Sequence, residues 1–116
     1  MSIRNKVSLI GRITKELEVK SFDNDSKVLN FSIAVDDSYL NKTTGEEVKR
    51  SYFINCVARN KMAEHIDKNY KKGYQIAITG KLTSRSYENN GQTVYVSEVE
   101  IATTDILLRR EVEIKS

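Results

Sequence analysis

Three stretches of this chain alternate apolar and polar residues so regularly that each fits a strand with one face packed and one face wet. In the first, Leu29, Phe31, Ile33 and Val35 alternate with Asn30, Ser32 and Ala34. In the second, Tyr52, Ile54, Cys56 and Ala58 alternate with Phe53, Asn55, Val57 and Arg59. In the third, Ile76, Ile78, Gly80 and Leu82 alternate with Gln75, Ala77, Thr79, Lys81, Thr83, Arg85 and Tyr87. A helix repeats every 3.6 residues and cannot bring every second side chain to one side, so the chain is mainly β. Val7 and Leu9 begin a further strand that runs to about Ile13, and a last one covers roughly Thr93–Leu108, with a break indicated near Ala102–Thr104.

Only one segment carries helical spacing. Asn60 is placed to act as an N-cap, Met62, Ile66 and Tyr70 recur every four residues, and Gly73 suits the left-handed C-terminal position. Thr44-Gly45 lies in a polar turn, Asn41–Glu47, and Asn89-Asn90-Gly91 predicts a tight hairpin, because Asn and Gly tolerate positive φ. Five strands with a helix between the third and fourth is the order of an OB-fold, an all-β five-stranded Greek-key barrel. If Ile76, Ile78 and Leu82 fill that barrel, then Lys81, Thr83, Arg85 and Tyr87 share its outer face. Phe53, Asn55, Val57 and Arg59 do the same on the third strand, with Tyr52 turned into the core.

A chain of 116 residues accommodates one such domain, assigned here to residues 1–110 with a short tail over 111–116. Its apolar runs are too short for a membrane span, and Met1–Lys6 lacks the apolar core of a secretory signal. The single cysteine, Cys56, cannot form an internal disulfide; it fits a reducing cytoplasm and reads as a small buried hydrophobe. Catalysis finds little to use. One His (His65, on the helix surface) and one Cys cannot build a zinc site or a choice of nucleophile–base pairs. No phosphate-cradling glycine loop or GxSxG elbow occurs, and Asp36 and Asp37, adjacent on a strand, point apart. No catalytic residue, metal or cofactor is expected.

The exposed aromatics are more informative. Tyr39 closes one strand, Phe53 sits within the next and Tyr87 ends the fourth, with Lys42, Lys49 and Arg50, and Lys81 and Arg85 close by. Rings stack on any base while cations hold phosphates, which suits single-stranded nucleic acid. The net charge of +3, from 19 basic and 16 acidic residues, is too mild to announce such a partner alone. Its distribution helps: carboxylates gather in Glu16–Asp25, Asp36–Asp37 and Glu98–Glu113, whereas Lys49–Arg50, Arg59–Lys61, Lys68–Lys72 and Lys81–Arg85 are basic. Core packing and a subunit interface are the competing explanations of the rings.

The order Asn5-Lys6-Val7-Ser8-Leu9-Ile10-Gly11-Arg12, Phe31-Ser32-Ile33-Ala34-Val35, Thr44-Gly45-Glu46, Lys61-Met62-Ala63-Glu64, Lys72-Gly73 and Gly80–Tyr87 resembles the bacterial and phage single-stranded DNA-binding proteins over about residues 3–108. The resemblance implies a non-catalytic protein that coats single-stranded DNA during replication, recombination or repair, in the cytoplasm of a bacterium or phage-infected host. Positions usually occupied by tryptophan in that family fall on Tyr39, Phe53 and Tyr87, and a further stacking position falls on Arg59. Matching basic positions are Lys6, Arg12, Lys61, Lys72 and Arg85, beside the Lys49, Arg50 and Lys81 already noted. Homo-oligomers are implied too, tetramers most often and dimers as the alternative; Ile3, Val7, Leu9 and Ile10 put apolar groups on both faces of the first strand, as association requires. The stretch Leu107–Ser116 has neither the flexible linker nor the acidic tip of cellular members, which points to a minimal phage- or plasmid-type protein or a truncated chain and puts tail-mediated recruitment of replication enzymes in doubt. A primosome-type OB dimer and an RNA-binding OB domain are the remaining alternatives.

Overall fold

A computed structural model describes residues 4–105. The strands are β1 (Val7–Ile13), β2 (Val19–Ser21), β3 (Lys27–Leu40), β4 (Glu47–Arg59), β5 (Gln75–Asn89) and β6 (Gln92–Asp105), with the helix α1 (Lys61–Asn69) between β4 and β5. Their order is β1-β5-β6-β4-β3-β2, and β1 also pairs with β3, so five strands close into a barrel and the three-residue β2 lies outside the ring. The OB-fold expectation holds, with β2 as an addition too short to show a period. All pairings are antiparallel except β4 with β6.

Alternation builds the core. Leu29, Phe31 and Ile33 of β3, Cys56 and Ala58 of β4, Ile76 and Ile78 of β5 and Val99 and Ile101 of β6 are buried together with Ile13. The helix packs on β3 and β4 and adds Ala63, Ile66 and, just past its end, Tyr70. Outside this region two hairpins project. Every residue of β3 from Asp36 to Leu40 is exposed, and so is nearly every residue of β5 from Lys81 to Asn89.

These projections correct two expectations about the core. Tyr52 has the parity of the core residues, yet it is 47% exposed, because it pairs with Val35 where the β3–β4 ribbon leaves the barrel. Leu82 is likewise 52% exposed and does not fill the barrel. β1 pairs with β5 only as far as Gly80, so Leu82 has a strand on one side alone. On its open side the Asn5 side chain substitutes for a strand: Nδ2 donates to the Leu82 carbonyl at 2.9 Å and Oδ1 accepts from the Leu82 N–H at 2.8 Å.

The indicated break near Ala102–Thr104 is a bulge within a continuous strand. Thr79 faces Thr103 while Gly80 faces Ile101, so Ala102 is the extra residue. Glycine is required opposite it, since a Cβ on Gly80 would lie 2.0 Å from the Glu100 carbonyl oxygen. The hairpin expected at Asn89-Asn90-Gly91 forms, with φ of 53° at Asn90 and 79° at Gly91 between β5 and β6.

Asn60 is the N-cap residue by position, as expected, whereas the C-terminal assignment changes. Asn60 precedes α1, but its side chain makes no cap: Oδ1 accepts from the backbone N–H of Lys27 at 3.1 Å, tying the helix start to β3. The C-cap is Tyr70, in extended backbone, and Gly73 uses its positive φ in the following turn, where its N–H donates to the Ile13 carbonyl. Ile3, the end of the expected last strand beyond Asp105, and the tail over 111–116 lie outside the described residues.

Candidate nucleic-acid interface

Paired residues in a sheet share a face, so the register decides which side chains meet. On β4, Phe53, Asn55, Val57 and Arg59 share the outer face and pair with Ala34, Ser32, Asn30 and Val28 of β3. Val57 pairs with Glu100 of β6, and Glu100 with Lys81 of β5. The same face therefore continues through Glu98, Val96 and Val94 on β6 to Thr83, Arg85 and Tyr87 on β5. In the other direction Ala34 pairs with Arg12 of β1, which puts Arg12 two strands, or about 10 Å, from Phe53.

The result is a polar strip across one side of the barrel. It includes a groove of about 560 Å³ lined by Lys15, Asn30, Ser32, Asn55, Arg85, Tyr87, Val96 and Glu98 among others. Phe53 stands beside it at 70% exposure and Tyr87 at 46%. Val57 has the expected parity but is 2% exposed, so it forms the floor between Phe53 and Arg59 instead of standing on the surface.

Tyr39 is placed elsewhere. It pairs with Val48 and shares parity with Tyr52, which puts it on the opposite face of the β3–β4 ribbon from Phe53. There Arg50 donates from Nη2 to the Tyr39 hydroxyl at 3.2 Å, and its guanidinium carbon lies 5.3 Å from the ring centroid. Arg50 thus stacks on a ring, a cation–π contact that orders both side chains.

The basic residues divide into two groups. Three are paired with carboxylates of β6: Arg59 Nε donates to Glu100 at 3.1 Å, Lys81 Nζ lies 3.4 Å from the same carboxylate, and Arg85 Nε donates to Glu98 at 3.1 Å. The Arg59 hydrogen bond, with help from Lys81, holds the Glu100 carboxyl below the usual carboxylate range. Lys6, Arg12, Lys61 and Lys72 are exposed and make no ion pair among the described residues. Of these, Arg12 alone lies on the strip; Lys6, Lys61 and Lys72 line neither the groove nor the adjoining hollow around Arg12. Lys49 faces Glu47 at a loose 3.8 Å on the exposed ribbon, a contact worth little.

Several residues of this surface were not singled out by sequence. Lys15 reaches the groove from the turn after β1, and Asn30 and Ser32 line it as the outward members of a core strand. Tyr95, 74% exposed, adds a ring on the ribbon face away from Tyr87, and Tyr52, expected in the core, adds one on the face away from Phe53. None of these has a local signal beyond parity.

No cluster of three or more His, Cys, Asp or Glu able to hold a metal occurs among the described residues. Burial, followed by the neighbouring Glu98 charge, pushes the Cys56 thiol up to about 12, which leaves it without thiolate character near neutral pH. His65 is exposed and engaged with Asn69 in the next helical turn. No helix among the described residues is long and apolar enough to cross a membrane.

Comparison with known proteins fits this geometry. The profile of the single-strand binding protein family matches residues 4–107. Single-stranded DNA-binding protein 1 of Streptococcus pyogenes is 41% identical over 108 residues, an alignment covering 92% of this chain and 81% of that protein. Single-stranded DNA-binding protein A of Bacillus subtilis is 36% identical over 104 residues, but this chain spans only 59% of its length. Among solved structures, a Plasmodium falciparum SSB in complex with ssDNA superposes with a TM-score of 0.78 at 26% identity, covering 90% of this chain and 93% of that one.

Proposed function

The chain belongs to the single-strand binding protein family, and from that premise we propose that it coats single-stranded DNA with little sequence preference. Its setting is replication, recombination or repair in a bacterial or phage-infected cytoplasm. The carrying observation is the strip itself: an exposed phenylalanine, Phe53, between Arg12 and a groove edged by Lys15, Arg85 and Tyr87. Stacking on Phe53 and Tyr87 needs unpaired bases and ignores their identity, while the cations hold phosphates. Arg59 offers a guanidinium plane to a base at the end of the same strip. Tyr39, with Arg50 behind it, contributes from the far side of the β3–β4 ribbon, so a strand that uses all three rings must pass around that arm. Lys6, Lys49, Lys61, Lys72 and Lys81 supply further phosphate contacts away from the groove floor.

Association of copies belongs to the same reading. Ile10 is 49% exposed on the outer face of β1, an apolar side chain that the barrel interior does not use. The corresponding expectation is a mass above the 13.3 kDa of one chain at micromolar concentration, checked by sedimentation.

The test is anisotropy of labelled oligo-dT, with oligo-U and duplex DNA of equal length as competitors at one salt concentration. Oligo-dT should win, and log affinity should fall with log salt at about 0.7 per neutralised phosphate. Stronger binding to duplex, or affinity that is flat between low and moderate salt, removes the assignment. A clear preference for oligo-U transfers it to RNA.

A further inference from the structure

The cations nearest the groove do not face solvent alone. Glu98 and Glu100 project from β6 into the middle of the strip and bind Arg59, Lys81 and Arg85, so three positive charges meet two negative ones. Glu98 is nearly buried, its side chain 8% exposed, whereas the Arg85 it holds is 56% exposed. A carboxylate on the floor of a surface that receives phosphates weakens their attraction. Yet the aromatic platforms Phe53 and Tyr87 stand on the same face without any such opposition.

We propose that Glu98 and Glu100 are specificity-determining residues of this surface, discharging its central cations so that attachment depends on stacking with unpaired bases and duplex DNA is disfavoured. The inference rests on the functional reading above. Phosphate attraction is shared by all nucleic acid and is stronger for duplex, whose charge density is higher. Stacking is available to single strands alone. Lowering the first while keeping the second raises the ratio between them. Both arginines use Nε for the carboxylate, so the terminal nitrogens that grip a phosphate side by side are not the ones engaged. Damping, not blocking, is the result.

Glu100→Gln is the primary variant, because its side chain is 32% exposed and it serves two cations at once. Duplex affinity should rise by a larger factor than oligo-dT affinity, so the preference for single strands falls. Each released cation should add about 0.7 to the salt slope for oligo-dT and about 0.9 for duplex. Between 50 and 200 mM salt that is an additional loss of about 2.6-fold and 3.5-fold per cation. The same substitution in an Arg59→Ala, Lys81→Ala background should change neither slope nor preference. Glu98→Gln should repeat the effect through Arg85, with a thermal melt to confirm that it folds. Weaker binding of Glu100→Gln to both DNAs, or an unchanged ratio and slope, overturns the proposal while leaving single-strand binding intact. Failure of the unaltered protein to bind oligo-dT removes the functional reading and this inference with it.

Discussion

Replacing Phe53 with alanine separates a binding platform from a packing residue. The ring is 70% exposed, so the remaining ~30% of a side chain that buries about 150–250 Å² when fully enclosed is roughly 45–75 Å². At about 25 cal/mol per Å² its loss costs on the order of 1–2 kcal/mol of folding free energy. A core ring would cost about 3–5 kcal/mol. A stacking contact is worth about 1–3 kcal/mol, which weakens oligo-dT binding by roughly 5- to 150-fold. Urea unfolding and anisotropy on the same preparation give both quantities. Leu29→Ala is the contrasting variant: Leu29 is fully buried, so its stability should fall by about 2–5 kcal/mol while the folded fraction still binds. Tyr87→Ala should resemble Phe53→Ala. The reasoning fails if Phe53→Ala unfolds like Leu29→Ala, or if it folds and binds oligo-dT as the unaltered chain does. A folded Phe53→Ala that sediments as a smaller species identifies the ring as a subunit contact instead.

Gly80→Ala should be among the most damaging single-methyl additions, because the new Cβ would meet backbone, the Glu100 carbonyl, at 2.0 Å; opening the β5–β6 bulge should cost about 1–3 kcal/mol or more in urea unfolding. Acid should remove the contribution of Glu100: its folded pKa lies below its ordinary 4.5, so the stability from its pairing is present above that range and is lost as pH falls through the lowered value. The melting temperature of Glu100→Gln should therefore fall less steeply below about pH 4.5 than that of the unaltered chain, and equal slopes would refute this assignment.

Alternation made the barrel legible wherever a strand is packed on one side. Leu29, Phe31 and Ile33, and Ile76 and Ile78, lie inside as their period requires. The period carries no information about where a strand leaves the barrel. Tyr52 and Leu82 keep the parity of core residues, but Tyr52 lies where the β3–β4 ribbon has left β6 and the barrel, and Leu82 lies past the last β1–β5 pair. Asn60 has the composition of a helix cap, and its side chain serves a strand remote in sequence because Lys27 lies beside it in the fold. Such partners are set by tertiary contact, which no local pattern reports.

The candidate binding surface was legible by residue type and not by arrangement. Phe53, Arg59, Arg85 and Tyr87 could be assigned to one side because β4 and β5 each carry them at even spacing. Whether those two sets meet depends on the parallel β4–β6 pairing, and specifically on Val57 lying beside Glu100. A shift of one residue there would turn Phe53 and Arg59 to the opposite face from Glu100, Lys81, Arg85 and Tyr87, separating the two rings and parting Arg59 from its carboxylate. On the proposed reading, the same pairing register assembles the aromatic platforms and brings Arg59 to the carboxylate that damps it. Tyr39 illustrates the opposite case: its family position suggested a stacking role, but the β3–β4 register turns it to the other face, with Arg50 against its ring. Its contribution to DNA binding then requires a path around the ribbon, so shortening the bound oligonucleotide should erase the effect of Tyr39→Ala before that of Phe53→Ala. Equal loss of both effects at every length would mean that the three rings lie along one straight track.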